Sequence, residues 1–442
     1  MNDLTTGHEG KSILLFTLPM LIGSLFQQLY NTADAVIVGR FIGKEAMAAV
    51  SGANPIMFLL TSFLMGITLG FSILLSQYYG SKKLDKVKAC IDTTYIFTFI
   101  ASLAITSVGV IFCGPILKLM NTPENVYHSS KMYLTVIFLG TLFSAGYNAI
   151  SSLLRGLGDS KNPLYFLIVA TVLNIILDIV FIIIFKMGVE GAGLATVISQ
   201  GVSFIFSIVY LNKKHKLLKL EFKTMSFDKI IFNRGLKLGI PSAIQQMLFS
   251  FGNITLQSLV NSYGASAMAA FGAGTRIESF ISLPIINLGA ATSTFVAQNT
   301  GAKKPERIKN CIKYTLCSAL ILSIIVAGMF LLFSENLIML FNSDTEVVRI
   351  GSSYLKTIGP FFIFVCNSFI LTSAIKGSGQ AIFPLISSMV SLWLARIPAA
   401  YIFSHIFGVN GIWMGIPSGW IIGFIVTLVY YKSNGWKKAD LI

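Results

Sequence analysis

Apolar and polar residues alternate along this chain in long blocks rather than short ones. Twelve runs are dominated by Leu, Ile, Val, Phe, Ala and Gly, at about 12–38, 48–79, 90–116, 129–153, 163–185, 190–212, 234–261, 268–298, 309–333, 347–374, 382–406 and 410–431. Each is long enough to cross a bilayer as a helix, which takes about 20 residues. The longest polar break, Asn212 to Asn233, holds Lys213, Lys214, Lys216, Lys219, Lys223 and Lys229 and divides the runs six and six. The pattern predicts an all-α polytopic membrane protein. Residues 1–212 form one six-helix lobe, 213–233 a cytoplasmic linker and 234–442 a second six-helix lobe.

The two halves repeat. Pro19 aligns with Pro241, Asn31 with Asn253, Gly43 with Gly264, Gln77 with Gln298, Arg155 with Lys376, Pro163 with Pro384 and Gly188 with Gly408, always 220 to 222 residues apart. An even number of spans per half makes both halves enter from the same side, so the lobes are expected to be related by an axis along the membrane normal with a cleft between them. Such a cleft suits transport by alternating access.

Composition supports the membrane reading. Of 442 residues, 54% are hydrophobic and 12% charged, about half the charged share of soluble domains. A net charge of +15 raises the question of nucleic acid, but its placement excludes that partner. About 24 of the 33 basic residues lie in alternate loops or at their flanks, among them Lys82, Lys83, Lys86, Lys88, Arg155, Lys161, Lys303, Lys304, Arg307, Lys309 and Lys376. The positive-inside rule then puts both termini in the cytoplasm and the chain in the cytoplasmic (inner) membrane. No cleavable signal peptide is expected, because the first apolar run is too long and has a counterpart in mid-chain. The five cysteines and four histidines (His8, His128, His215, His405) show no zinc-site spacing.

Chemistry is scarce, which makes it legible. Only three of the 18 acids fall deep in spans: Asp34, Asp178 and Glu278. A charge in hydrocarbon costs roughly 2.5–3.5 kcal/mol on insertion scales, so such a group faces the protein interior or water and marks a functional site. Asn174 and Asp178 are four apart and share a helix face, and Thr196 is the polar residue of the next span. At 1.5 Å per residue, Asp34, Asp178 and Thr196 lie about 6, 11 and 9 Å from the outer ends of their helices, so Asp34, Asn174, Asp178 and Thr196 can meet at one level. Two carboxylates, an amide oxygen and a hydroxyl suit a small hard cation or a proton; a polar network that only joins helices is the alternative. The second half has Leu256, Ala395, Ala399 and Ile416 at the matching positions, so the site belongs to one lobe.

The second half carries its own intramembrane charges, Arg276, Glu278 and Arg396, which read either as a buried Arg–Glu pairing or as a Glu278 that faces substrate. Gln27, Gln28, Tyr30, Asn31, Tyr147, Asn148, Gln245, Gln246 and Phe251 are candidates to line the cleft, since aromatic and polar groups of this kind receive large amphipathic cations. The glycine pairs Gly156, Gly158 and Gly377, Gly379 lack the spacing of a phosphate-binding loop. No nucleophile–base or metal cluster supports an enzyme.

These residues resemble the multidrug and toxic compound extrusion (MATE) family over nearly the whole chain. The likeness rests on the twelve spans, the stretch from Asp34 to Arg40 that ends the first span, the turn at Arg155, and Asn174, Asp178 and Thr196, which look like the family's N-lobe cation site. The resemblance implies a secondary-active antiporter that exports organic cations, drugs or amphipathic metabolites in exchange for Na⁺ or H⁺, with those residues and Asp34 holding the coupling ion. Acids that some members carry in the seventh and tenth spans are missing around Phe251 and from Cys366 to Thr372. A lipid-linked glycan flippase of the same superfamily, with a strongly cationic cleft, and a membrane-embedded lipid-modifying enzyme are the competing readings. The expected partners are an amphipathic or cationic small molecule and membrane lipid, with no cofactor and a monomeric chain.

Overall fold

A computed structural model describes residues 3–120, 122–214, 218–221, 223 and 225–438. Five positions of the expected linker, His215, Lys216, Leu217, Phe222 and Thr224, lie outside the described residues. Among the described residues the chain is helical throughout, with no strand. Twelve long helices follow one another: α1 Glu9–Ile42, α2 Lys44–Gly80, α3 Leu84–Leu119, α4 Glu124–Leu139 with Thr141–Gly156, α5 Lys161–Ile184, α6 Val189–Lys214, α7 Lys229–Asn261, α8 Ala265–Gly301, α9 Pro305–Met339, α10 Thr345–Gly377, α11 Ile382–Phe407 and α12 Val409–Lys432. Ten are individually long and apolar enough to cross a membrane, and the two parts of α4, bent by 50° at Gly140, make an eleventh. The exception, α7, is as long as the others but carries Arg234, Lys237, Gln245, Gln246, Asn253 and Gln257.

Backbone geometry repeats with the same offset as the sequence. Lys82 and Lys303 both hold left-handed conformations, at φ 60° and 55°. Gly43 and Gly264 open α2 and α8 with φ 120° and 94°, and Gly158 and Gly379 turn the chain with φ 82° and 102°. Residues with side chains rarely adopt these values, whereas glycine adopts them freely. The break in α4 at Gly140 has its counterpart in α10, where Gly359–Phe361 tightens into a 3₁₀ turn around Pro360. Among the described residues three short π-helical stretches widen the helices, at Val38–Ile42, Ile179–Ile184 and Val390–Arg396.

Two compact units emerge, and they do not divide at the linker. Leu18–Ala243 forms the body of the first, and Leu4–Thr17 joins Ile244–Ile442 in the second. The opening turns of α1 therefore belong with the second half of the chain, and the opening turns of α7 with the first.

In the first unit, α2 and α7 cross at backbone contact. A methyl group on Gly66 would stand 2.4 Å from the Ala243 Cα, and one on Gly70 2.4 Å from the Gly239 nitrogen. Only residues without side chains permit that approach. Around α4, Val38, Ala49, Ala53, Tyr133, Leu134, Phe138 and Ile182 form a buried cluster. In the second unit the N-terminal segment is held by hydrogen bonds. Arg307 donates to the carbonyls of Leu4, Thr6 and Gly7 and pairs with Glu9 at 3.2 Å, and the Leu4 amide donates to Gln298. The core of this unit is aromatic: Phe271 stacks on Trp413 at 5.6 Å, and Tyr354 meets Trp413 edge-on at 5.0 Å. Large apolar side chains such as Ile111, Leu332 and Val429 are turned outward, as expected where the surrounding solvent is hydrocarbon.

Candidate ion site in the first unit

Asp34, Asn174, Asp178 and Thr196 come from α1, α5 and α6, and the fold of the first unit gathers all four. Asn174 and Asp178 are fully buried, and Asp34 is partly buried. The carboxyl groups of Asp34 and Asp178 lie close enough for each to feel the other's charge. Thr196 joins them through Tyr30, whose hydroxyl donates to the Thr196 Oγ1 at 3.1 Å. Tyr133, from α4, is buried beside both carboxylates.

The hydrogen-bond accounting of this cluster is unusual. Asp34 Oδ1, both oxygens of Asp178 and both polar atoms of Asn174 are buried without a hydrogen-bond partner. Buried polar atoms are paired in the great majority of cases, and leaving one unpaired costs about 1–3 kcal/mol, more for a charged group. If the network served only to join helices, these atoms would be satisfied by one another. Oxygen donors from two carboxylates and an amide instead match what a hard monovalent cation requires, and the same two carboxyls can hold a proton. Thr171 and Gln200, on the same helices, also carry unpartnered buried oxygens; an isolated threonine or glutamine within a span gives little sequence signal.

Backbone geometry sets off the site. The π-helical turn of α1 starts four residues after Asp34, at Val38, and that of α5 starts directly after Asp178, at Ile179. Such insertions shift the register of the following helix and recur at functional sites. Thr196 also borders a second feature of the same unit, a cavity of about 90 Å³ lined by Thr61, Thr68, Thr98, Thr141 and Asn148. At the matching positions of the second unit, Leu256, Ala395 and Ile416 are buried in hydrocarbon packing.

The candidate cleft residues separate into two groups. Gln27 and Asn31 on α1, and Gln246 and Phe251 on α7, are exposed. Asn148 donates to the Ser144 carbonyl at 2.8 Å and lines the cavity. Two residues take structural positions instead. Tyr147 is buried and donates to the Pro163 carbonyl at 3.3 Å, and Gln245 is buried and donates to the Pro384 carbonyl at 3.1 Å and to Ser388. Both fasten a helix to the first turn of a neighbour, Tyr147 to α5 at Pro163 and Gln245 to α11 at Pro384. Tyr30 lies on the ion cluster rather than apart from it.

Glu278 is bound by a tyrosine and not by an arginine. Tyr354 donates to its Oε2 at 2.6 Å, while Arg276, two residues away on α8, is exposed. None of the ion pairs among the described residues includes Glu278. The expected Arg–Glu contact fails because residues two apart on a helix point in different directions. Arg396 feels the Glu278 charge from α11, but its Nε is buried without a partner.

The MatE family signature matches residues 19–180 and 241–402, one copy in each half. The chain belongs to the MatE family. It is 35% identical over 441 residues to the "Probable multidrug resistance protein YoeA" of Bacillus subtilis, covering 98% of this chain and 95% of that one. It is 26% identical to the "FAD transporter" of Shewanella oneidensis, covering 94% and 93%. A crystal structure of MATE in the straight conformation superimposes with a TM-score of 0.92 at 25% identity, over 99% of both chains. An outward-facing multidrug resistance MATE transporter gives a TM-score of 0.93 at 24% identity, over 99% of this chain and 98% of that one. This MatE protein is a multi-pass membrane transporter and not an enzyme.

Proposed function

We propose that this MatE transporter is a secondary-active antiporter that exports organic cations or amphipathic small molecules in exchange for Na⁺ or H⁺ across the cytoplasmic membrane. The observation that carries the reading is the set of buried, unpartnered oxygens on Asp34, Asn174 and Asp178. A cation or proton entering there satisfies them. The names of the relatives as multidrug resistance and export proteins support the substrate class.

Coupling needs a ligand that prefers one state of the protein over the other, since an ion indifferent to state drives nothing. The site residues come from three helices, two of them widened by π turns that begin within four residues of the carboxylates. Occupancy draws these helices together, and an unoccupied pair of carboxylates pushes them apart. Na⁺ and a shared proton compete for the same oxygens, so each displaces the other.

The deciding experiment is efflux of a cationic dye from proteoliposomes under separately imposed Na⁺ and H⁺ gradients. Either gradient alone is expected to drive uphill transport. Transport that ignores both defeats the antiport reading. The orientation is tested by cysteine labelling in intact cells. Cysteines at Lys83, Lys219 and Lys304 should be shielded from an impermeant thiol reagent, and those at Glu124 and Asp344 labelled. The reverse pattern places the termini outside.

A further inference from the structure

At the basic end of the second unit, α8 and α12 end and α9 begins around a cavity of about 360 Å³. Lys303, Lys304, Lys309 and Lys432 line it, opposed among the described residues by one carboxylate, Glu306. We propose that this cavity binds the phosphate of an anionic phospholipid at the membrane surface.

Three observations carry the assignment. The first is free cationic charge. Among the described residues none of the four lysines forms an ion pair, and only Lys304 has a described side-chain hydrogen bond, to the Thr5 carbonyl at 2.8 Å. The second is the comparison with the first half. Lys88 occupies the position of Lys309 there, and it pairs at 2.8 Å with Asp92 one turn along the helix. The residue one turn beyond Lys309 is Lys313, so a base stands where the first half has the neutralising acid. A lysine retained without its acid is available to an external anion.

The third observation is depth. Tyr431 stacks on Trp436 at 5.4 Å with ring planes 9° apart, and the Trp436 indole donates to the Tyr431 carbonyl at 3.0 Å. Both residues line the cavity, at the point where α12 leaves its apolar span. Amphipathic aromatic rings followed by lysines mark the headgroup level of a bilayer. Basic pockets between helices at that level bind acidic headgroups. A soluble phosphate satisfies the same lysines, but the apolar floor of Ile308 and Trp436 favours a ligand with attached glycerol and acyl carbon.

Native mass spectrometry of the purified full-length protein, titrated with phosphatidylglycerol or phosphatidylcholine, tests the proposal. Wild type should bind phosphatidylglycerol preferentially. Lys303→Gln, Lys309→Gln and Lys432→Gln should each weaken that binding by about fivefold, and the triple variant by more. Lys82→Gln with Lys83→Gln, the matching turn of the first half, should leave it unchanged. These lysines are exposed, and a melting curve equal to wild type confirms intact folding. If the triple variant folds poorly, Lys309→Glu alone serves the same purpose. Equal binding of both lipids, or triple-variant affinity equal to wild type, overturns the proposal. So does full displacement of phosphatidylglycerol by millimolar inorganic phosphate, which assigns a soluble ligand instead.

Discussion

Tyr354 donates a 2.6 Å hydrogen bond to Glu278 inside the second unit, and its ring is fixed edge-on against Trp413. The acid is thus anchored by a neutral donor within an aromatic core. A hydrogen bond to a charged group contributes about 1.5–3 kcal/mol. Tyr354→Phe should therefore lower thermal stability in detergent by an amount in that range. Glu278→Gln keeps an acceptor for the tyrosine, so it should express and melt near wild type. Its effect belongs in dye affinity, read by equilibrium binding. Loss of expression in Glu278→Gln would show that the charge itself is structural.

Asp34→Asn and Asp178→Asn preserve shape and remove charge from the ion cluster. Each should abolish gradient-driven efflux in proteoliposomes while leaving substrate binding in detergent largely intact. Asn174→Ala and Thr196→Val remove one neutral ligand each and should weaken ion affinity more mildly. Leu256→Asn and Ala399→Ser alter the matching positions of the other unit and should leave ion dependence alone. Normal uphill transport by both aspartate variants would remove the proposed coupling site.

The proposed sharing of a proton between Asp34 and Asp178 has a direct readout. Adding Na⁺ to the weakly buffered, purified protein at mildly acidic pH should release protons, detected with a pH dye, because both ligands use the same oxygens. Asp178→Asn should release none. A wild-type protein that binds Na⁺ without proton release would contradict a shared carboxylate site.

The crossing of α2 and α7 is fixed by absent side chains. Gly66→Ala and Gly70→Ala place a methyl group 2.4 Å from backbone atoms of α7, and overpacking of this kind costs about 1–3 kcal/mol. Both should reduce melting temperature and yield. Gly52→Ala, on the same helix with nothing within 4 Å of the added carbon, should be neutral or slightly stabilising.

Asp228 caps α7. Its Oδ1 accepts from the amides of Ile231 at 3.0 Å and Ile230 at 2.9 Å, and its Oδ2 pairs with Lys86 at 3.3 Å. The bond from Ile231, ahead of those from Lys86 and Ile230, holds the carboxyl below its ordinary value of 3.8. A carboxyl lowered by folding contributes its stability above the unfolded value and loses it as pH falls through the folded one. Asp228→Ala should cost about 1 kcal/mol at neutral pH, as for other caps. The gap between wild type and variant should close in melts carried out below pH 3.8.

Much of this molecule was legible from residues alone, because hydrocarbon leaves a chain few choices. The twelve helices match the apolar runs to within a turn or two, and Asp34 and Asp178 stood out because charge is costly there. What escaped was the choice of partner. Tyr147 and Gln245 read as cleft-lining groups, yet both are buried and bonded to the carbonyls of Pro163 and Pro384, a pairing set by helix packing that no spacing encodes. Tyr133 lies a whole helix away in sequence from the carboxylates it packs beside. Glu278 and its tyrosine are 76 residues apart, whereas the nearby Arg276 offered a more obvious partner.

The assignment of Leu4–Thr17 to the second unit and of the first turns of α7 to the first bears on how this protein can be taken apart. The lysine-rich linker is the natural place to cut the gene in two. A fragment ending there lacks Lys229–Ala243, which completes the first unit at Gly66 and Gly70. The complementary fragment lacks the N-terminal strap that Arg307 and Gln298 hold. Each half of the gene encodes a segment that packs into the other half's unit, so co-expressing the two fragments should yield more folded protein than expressing either alone.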